Sequence, residues 1–495
     1  MSPSELKLKT FHSVLWTTLR IGFGSALTFG VFAVLARVLT PAAFGLYALA
    51  GLVLEVGRVL SMAGIEDAVT QARQLDEELA STIFWVNAAL GVLVGASMWM
   101  LAPVYARIIG EPEVAPVLKY LSALIPLASL GNVHMARRLR EFGHRSLAVR
   151  TVASTMLGGL AGIGAALSGW GVWSLVVQAT LVELSGLCFA WTAFPWRPRL
   201  HVSFARMREI SGFSASITLA LLLRMLLARV QDLIIGGWLP PAAVGTYRVA
   251  WRFHELISQV TLFPIMTVSL VTLSRLQDDR TAFSNAYGRM LGITSIVTIP
   301  AMLGFGVLAG DLVVPVFGAQ WAASVPIAQI LSLMSVPFVL GYFVGPTLAA
   351  AGRSRASVQV AAAQLAATVI VSLAAVRFGV EAVAAGYVIR GYAMIPYQIG
   401  VLKRETGIGG AIVCRNMLPP LAASLLMAAA MVALRPAIEG VVSMAALRVA
   451  LELLVGTVAY GGGLLLLAPR FVRSSLLAVR SVAAPFGRLS RAENA

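Results

Sequence analysis

Apolar runs of about 20 residues recur along the chain from Val14 to Ala468, separated by short polar breaks. Each run is long enough to cross a hydrocarbon core of about 30 Å as a helix, the only open-ended element that satisfies its own backbone there. The pattern predicts spans near 14–38, 44–64, 79–103, 114–133, 147–167, 170–194, 211–238, 244–270, 285–309, 322–350, 356–376, 380–401, 411–434 and 441–468. The expected class is an all-α polytopic membrane protein of about fourteen transmembrane helices. Lys7 and Lys9 precede the first run as they would in a signal peptide, but the run is too long for an h-region and is read as structure.

A shift of 200 positions superposes Leu39-Thr40-Pro41-Ala42-Ala43-Phe44-Gly45-Leu46-Tyr47 on Leu239-Pro240-Pro241-Ala242-Ala243-Val244-Gly245-Thr246-Tyr247, with Ala50 on Ala250 and Glu55 on Glu255. Six spans separate the copies, and an even number preserves orientation. The expected organisation is therefore two six-helix lobes related by a pseudo-two-fold axis along the membrane normal, plus two C-terminal helices. The boundaries are 1–200 for the N-terminal lobe (helices 1–6), 201–405 for the C-terminal lobe (helices 7–12), 406–470 for helices 13–14, and 471–495 for a basic cytoplasmic tail. Proline at the first helical position, with Thr40 as N-cap in the first copy, accounts for the local chemistry of the repeat.

Ionisable residues inside a span are costly and mark function unless they snorkel or pair. In the eighth span Arg248, Arg252, Glu255 and Gln259 fall at about 0, 40, −20 and 20° on a helical wheel, one narrow polar stripe. The seventh carries Arg224, Arg229, Gln231 and Asp232, the first adds Arg20, and the second adds Glu55 and Arg58. These arginines exceed the acids, which suits an anionic ligand because a guanidinium binds phosphate through two parallel hydrogen bonds and does not lose its charge. Arg224 and Arg252 are read as ligand contacts. Arg20, Arg58 and Arg248 are divided between that role and interfacial anchoring. Arg229 with Asp232 and Arg252 with Glu255 are spaced to neutralise one another, so Glu55, Asp232 and Glu255 are read as structural partners, with ion coupling as the alternative. Arg390 in the twelfth span, with Tyr387 and Tyr397 on its face, is a candidate groove residue of the second lobe.

Composition agrees with this class: 58% of the 495 residues are apolar and 12% charged, against about 25% charged in a soluble domain. The net charge of +16 suggests nucleic acid until the basic residues are placed. With the N-terminus inside, 25 Lys and Arg fall in cytoplasmic loops and tails, whereas four, Arg37, Arg107, Arg377 and Arg435, face outward. That asymmetry puts both termini in the cytoplasm and leaves no folded basic patch for nucleic acid. Trp170 and Trp173 flank a tight outer turn, Ser168-Gly169-Trp170-Gly171, as interfacial anchors. Cys188 and Cys414 offer neither a disulfide framework nor metal-ligand spacing, and no cofactor or metal is expected. External loops of about 2 to 12 residues are too short for a catalytic domain, and Asp278-Asp279 is a lone acidic pair in a cytoplasmic loop, so an enzyme is not expected.

Several segments, in order and at matching spacing, resemble the polysaccharide transporter branch of the multidrug, oligosaccharidyl-lipid and polysaccharide exporter (MOP) superfamily, of the colanic-acid and O-antigen flippase type. They are Leu35-Ala36-Arg37-Val38-Leu39-Thr40-Pro41 with Phe44-Gly45-Leu46-Tyr47, Arg137-Arg138-Leu139-Arg140-Glu141-Phe142, Gly169-Trp170-Gly171-Val172-Trp173-Ser174-Leu175, Asp232-Leu233-Ile234-Ile235-Gly236, Gly245-Thr246-Tyr247-Arg248-Val249-Ala250, Leu276-Gln277-Asp278-Asp279, Phe317-Gly318-Ala319-Gln320-Trp321 and Ala350-Ala351-Gly352-Arg353. The resemblance implies a two-lobed bundle in the bacterial inner membrane that moves an undecaprenyl-diphosphate-linked oligosaccharide outward by alternating access. Surface polysaccharide assembly, whether exopolysaccharide, capsule or O-antigen, would then draw on a lipid-linked oligosaccharide, membrane lipids and the polysaccharide polymerase and export machinery as partners. A lipid II flippase and a small-molecule drug exporter of the same superfamily remain as alternatives. One departure is Val271-Thr272-Leu273, where a proline is expected, so the end of the eighth helix is expected to bend differently.

The charge asymmetry predicts that single cysteines at Glu111 and Gly440 react with an impermeant thiol reagent added to intact cells, whereas cysteines at His144 and Ser203 do not. Labelling of the latter two from outside would contradict the fourteen-span reading.

Overall fold

The computed structural model describes residues 22–62, 69, 76–141, 144–193 and 196–469, with the side chains at 144, 204–217, 220, 224, 264, 267, 268, 270 and 271 outside that description. Every regular element among the described residues is helical. In chain order they are α1 (Gly22–Val38), α2 (Pro41–Met62), α3 (Glu77–Ile109), α4 (Val114–Ser122), α5 (Leu124–Arg140), α6 (His144–Leu167), α7 (Trp173–Ala193), α8 (Phe204–Trp238), α9 (Pro241–Thr261), α10 (Phe263–Arg275), α11 (Arg280–Phe317), α12 (Ser324–Ser332), α13 (Ser335–Ala350), α14 (Ser354–Ala375), α15 (Val380–Ala393), α16 (Ile395–Thr406), α17 (Gly410–Val441) and α18 (Ala445–Leu467).

Nine helices among the described residues are long and apolar enough to cross a membrane, or ten if α12 and α13, bent by 61° at their junction, form one span. The other four expected spans are not among them. The first is described only from Gly22, those on α8 and α9–α10 include undescribed side chains, and the twelfth breaks at Met394 into helices of 14 and 12 residues. Breaks also divide the fourth span at Ala123 and the eighth at Leu262, two residues before Pro264. A proline at N1 or N2 gives up no helical hydrogen bond, so Pro264 and Pro396 each restart a helix after such a break.

Local chemistry fixes several ends. Thr40 Oγ1 accepts from Ala43 N at 3.3 Å, the N-cap expected from the sequence. Asp76 caps α3 by accepting from Leu79 N at 2.8 Å, with Glu77 and Glu78 in the first turn where the helix dipole favours them. The turn between α6 and α7 needs left-handed backbone at Gly169 (φ 81°) and Gly171 (φ 55°), which holds Trp170 and Trp173 exposed beside it.

The chain divides into two compact units: residues Met1–Arg248 with Val316–Trp321, and residues Val249–Pro315 with Ala322–Ala495. In the first, the segment 316–321 closes the end of α1. Trp321 Nε1 donates to Ala36 O at 2.7 Å, Gln320 Nε2 to Ala36 O and Arg37 O at 2.9 and 3.0 Å, and Arg37 Nε to Val316 O at 2.9 Å. The last carbonyls of a helix have no partner within it, and these side chains supply one. Phe317 packs edge-on against Phe29 and Phe32, and Trp321 against Phe44. In the second unit a core of Leu262, Tyr287, Leu291, Val339, Phe343, Leu402 and Met417 joins α11, α13, α16 and α17.

The repeated turns meet within the first unit. A Cβ at Gly45 would lie 1.7 Å from Pro241 O, and one at Gly245 would lie 2.2 Å from Pro41 O. Each copy's glycine thus receives the other copy's first-turn carbonyl, an approach of backbones that only the absence of a side chain permits.

Gly45→Ala and Gly245→Ala should each destabilise by about 1–3 kcal/mol, the usual cost of overpacking. Combined they should cost less than the sum, because the first change already separates the two turns. Gly51→Ala, where nothing lies within 4 Å, is the control and should be neutral or stabilising. Thermal unfolding of the purified protein in detergent reads all four.

Candidate functional site

The ionisable residues of α2, α8 and α9 in the first unit form a connected network. Glu55 accepts two parallel hydrogen bonds from Arg229, Nε to Oε2 and Nη2 to Oε1, both at 2.9 Å. Arg229 Nη1 lies 3.9 Å from Asp232 Oδ2, one turn along α8, and Arg248 Nη1 approaches the same oxygen to 3.4 Å. Asp232 and Arg248 stand six and seven residues from the facing ends of α8 and α9, so both lie about 10 Å below the Leu239–Pro240 turn and meet at one depth. Beside them Tyr247 OH donates to Gln231 Oε1 at 2.6 Å. The Asp232 side chain is 4% exposed and that of Arg229 17%. Charges so far from water are tolerated when paired, and removing one partner of such a pair costs about 3–5 kcal/mol.

Arg58 pairs with Glu183 of α7, a residue the sequence reading did not single out, although a lone acid in the middle of an apolar span carries the same signal as the others. Near that pair Arg150 Nε donates to Gly186 O at 3.0 Å. In the second unit Arg252 Nη1 lies 2.7 Å from Glu255 Oε2 on α9, as the spacing anticipated. A further ionic cluster there went unread: Arg435 pairs with Asp311 and lies 3.1 Å from Glu439 and 3.7 Å from Glu452, the last only 2% exposed. Arg390 differs from all of these. It is buried, its guanidinium carbon sits 4.4 Å from the centre of the Tyr387 ring, and among the described residues no carboxylate accompanies it.

Of the seven arginines expected at the site, Arg20 and the side chain of Arg224 lie outside the described residues, so the expected ligand contact by Arg224 has no geometry here. Arg58, Arg229, Arg248 and Arg252 each face a carboxylate, and Glu183 supplies the fourth acid that balances them. Among the described residues no group of three or more His, Cys, Asp or Glu could hold a metal ion, and Cys188 and Cys414 are free and exposed.

Asp232→Ala should lower stability by about 3–5 kcal/mol, because it removes the buried carboxylate that faces Arg248 and weakens the setting of Arg229. Asp232→Leu with Arg248→Leu should recover much of that loss, since it removes both charges and restores apolar packing. Denaturation midpoints of the three forms measure this, and an unaltered midpoint for Asp232→Ala would refute it.

Residues 34–326 match the polysaccharide biosynthesis protein family. The succinoglycan biosynthesis transport protein ExoT of Rhizobium meliloti (strain 1021) is 29% identical over 336 residues, covering 67% of each chain. The lipopolysaccharide biosynthesis protein WzxC of Escherichia coli (strain K12) is 24% identical over 70% of this chain and 71% of that one. Among solved structures, the lipid II flippase MurJ in an inward closed conformation superposes with a TM-score of 0.73 at 12% identity, covering 93% of this chain and 100% of that one. An inward-facing multidrug resistance MATE family transporter of the MOP superfamily superposes at 0.56 with 16% identity, covering 79% and 95%. Likeness at these identities is likeness of fold.

Proposed function

The chain belongs to the polysaccharide biosynthesis protein family, and from that premise we propose that it carries undecaprenyl-diphosphate-linked oligosaccharide units across the bacterial inner membrane by alternating access, through fourteen spans with both termini in the cytoplasm. It is a multi-pass membrane transport protein and not an enzyme. Its named relatives are a succinoglycan biosynthesis transport protein and a lipopolysaccharide biosynthesis protein. Their roles favour a lipid-linked glycan over lipid II or a drug as cargo.

The observation that carries the reading is the fork between Arg229 and Glu55. A guanidinium that gives two parallel hydrogen bonds to a carboxylate presents the arrangement that a phosphate group accepts. On this reading Glu55 stands in for a substrate phosphate, and arrival of the diphosphate exchanges one oxyanion for another. A charge-assisted hydrogen bond is worth about 1.5–3 kcal/mol, so loss of a contacting arginine weakens binding by roughly 10- to 100-fold.

The test is flipping of a fluorescent undecaprenyl-diphosphate oligosaccharide in proteoliposomes. The unaltered protein should flip it, and Arg229→Ala, Arg224→Ala and Arg252→Ala should each reduce the apparent affinity by roughly 10- to 100-fold. Arg229→Lys should restore part of the loss, since it keeps charge without the fork. Arg404→Ala, with its side chain 74% exposed, is the control. Lipid II flipped faster than the glycan would move the assignment to that substrate, and normal flipping by all three alanine variants would leave these arginines as structural partners.

A further inference from the structure

A row of aromatic contacts runs through the second unit. Tyr387 of α15 meets Trp251 of α9 edge-on at 5.7 Å, Trp251 meets His254 at 5.4 Å, His254 lies tilted on Phe338 of α13 at 5.5 Å, and Phe338 meets Tyr342 at 5.8 Å. All but His254 are partly exposed. On the wheel of α9, Trp251 lies at about −60° from Arg248 and so borders the polar stripe that includes Arg252 and Glu255.

Arg390 stands at the head of this row, ten residues and about 15 Å along from the start of α15, too deep to reach an interface by extending its side chain. It is 7% exposed, and its Nε has no hydrogen-bond partner among the described residues. Two more buried polar atoms beside the row share that condition. One is His254 Nε2, and the other is Gln398 Oε1, which sits near Gly341 between Phe338 and Tyr342. A buried polar atom without a partner is costly to the fold. Three of them along one row of rings form a pattern that hydrophobic packing alone does not require. The cation–π contact with Tyr387 fixes the plane of the guanidinium and leaves its edge for an oxyanion.

We propose that Arg390 and the rings from Tyr387 to Tyr342 form a recognition track for an acidic saccharide. The guanidinium takes a carboxylate carried on the sugar, and the rings take the sugar's apolar C–H faces. Aromatic faces carry negative quadrupole charge and favour C–H edges, and the ring-to-ring spacing is about one monosaccharide. Gln398 Oε1 and His254 Nε2 are both free to accept from hydroxyl groups. The oxyanion at Arg390 has two possible sources, a carboxylate of the glycan or the diphosphate of its lipid carrier, and the aromatic surroundings favour the first. This inference rests on the proposed glycan cargo, but it is tested with lipid-free oligosaccharides, so its failure is separate from failure of flipping.

Calorimetric titration of the full-length protein in nanodiscs compares three probes: a tetrasaccharide of alternating glucose and glucuronate, neutral cellotetraose, and farnesyl diphosphate. The acidic tetrasaccharide should bind at least ten-fold tighter than the neutral one. Arg390→Gln should abolish that difference while leaving cellotetraose and farnesyl diphosphate unchanged, Arg390→Lys should retain part of it, and Tyr387→Ala should weaken both tetrasaccharides by about ten-fold. Equal affinity of the unaltered protein for the two tetrasaccharides, or no binding of either, overturns the proposal without recourse to any variant. Selective loss of farnesyl diphosphate binding in Arg390→Gln would also overturn it, assigning Arg390 to the lipid carrier.

Discussion

Two prolyl carbonyls set against two glycines decide where the charged helices of the first unit lie. With any side chain at Gly45 or Gly245, the first turns of α2 and α9 would be held apart by at least a methyl group. Because α9 follows α8 through the short Leu239–Pro240 turn, joining α9 to α2 also lays α8 along α2, where Leu49 fills the space over Gly236. That packing sets the register at which Glu55 can reach Arg229 and at which Asp232 meets Arg248. The ionic network is thus downstream of a steric fact about two residues without side chains. Helices in a bilayer gain little from burying apolar surface against one another, which is why close backbone approach carries so much of their association.

The same environment governs the charges. Attraction between unit charges 4 Å apart grows from about 1 kcal/mol in water as the dielectric falls, but so does the cost of removing each ion from water. Pairing is the solution for Arg58, Arg229, Arg248 and Arg252, each with a carboxylate supplied by its own or a neighbouring helix. Arg390 is held instead by the face of an aromatic ring, a weaker compensation worth about 0.5–2 kcal/mol. The difference separates arginines that face a carboxylate among the described residues from one that does not.

Much of this was legible along one dimension. The Thr40 cap, the helical runs and the Arg252–Glu255 pair follow from spacing within one helix, which period and propensity record. What spacing does not record is register between helices. Arg229 and Asp232 read as mutual partners at i,i+3, yet Glu55, 174 residues away, takes the Nε–Nη2 edge of Arg229, and Asp232 lies nearer Arg248. Glu183 and Arg58 reside on helices whose contact no periodicity shows. The repeat was visible as matched letters, but the reason for its glycines, reciprocal contact between the copies, appears only in three dimensions. The Phe317–Trp321 motif likewise becomes intelligible as the closing element of α1.

If the substrate diphosphate displaces a carboxylate, the two ionic pairs of α8 are not equivalent candidates. A carboxylate released from its arginine must be rehydrated or protonated, and the cost depends on its access to water. The Glu55 side chain is 42% exposed, so where that face lines a water-filled interior it can give up Arg229 and remain solvated as an anion. Asp232, at 4%, has no such recourse, and losing Arg248 would remove the nearer of the two arginines that face this buried anion. The exchange therefore falls on the Glu55–Arg229 fork, while Asp232 keeps Arg248 and stays within 3.9 Å of Arg229, continuing to orient it. A division of this kind, one labile acid beside one fixed acid, would let a single arginine serve the packed state and a bound phosphate without ever standing alone in the membrane.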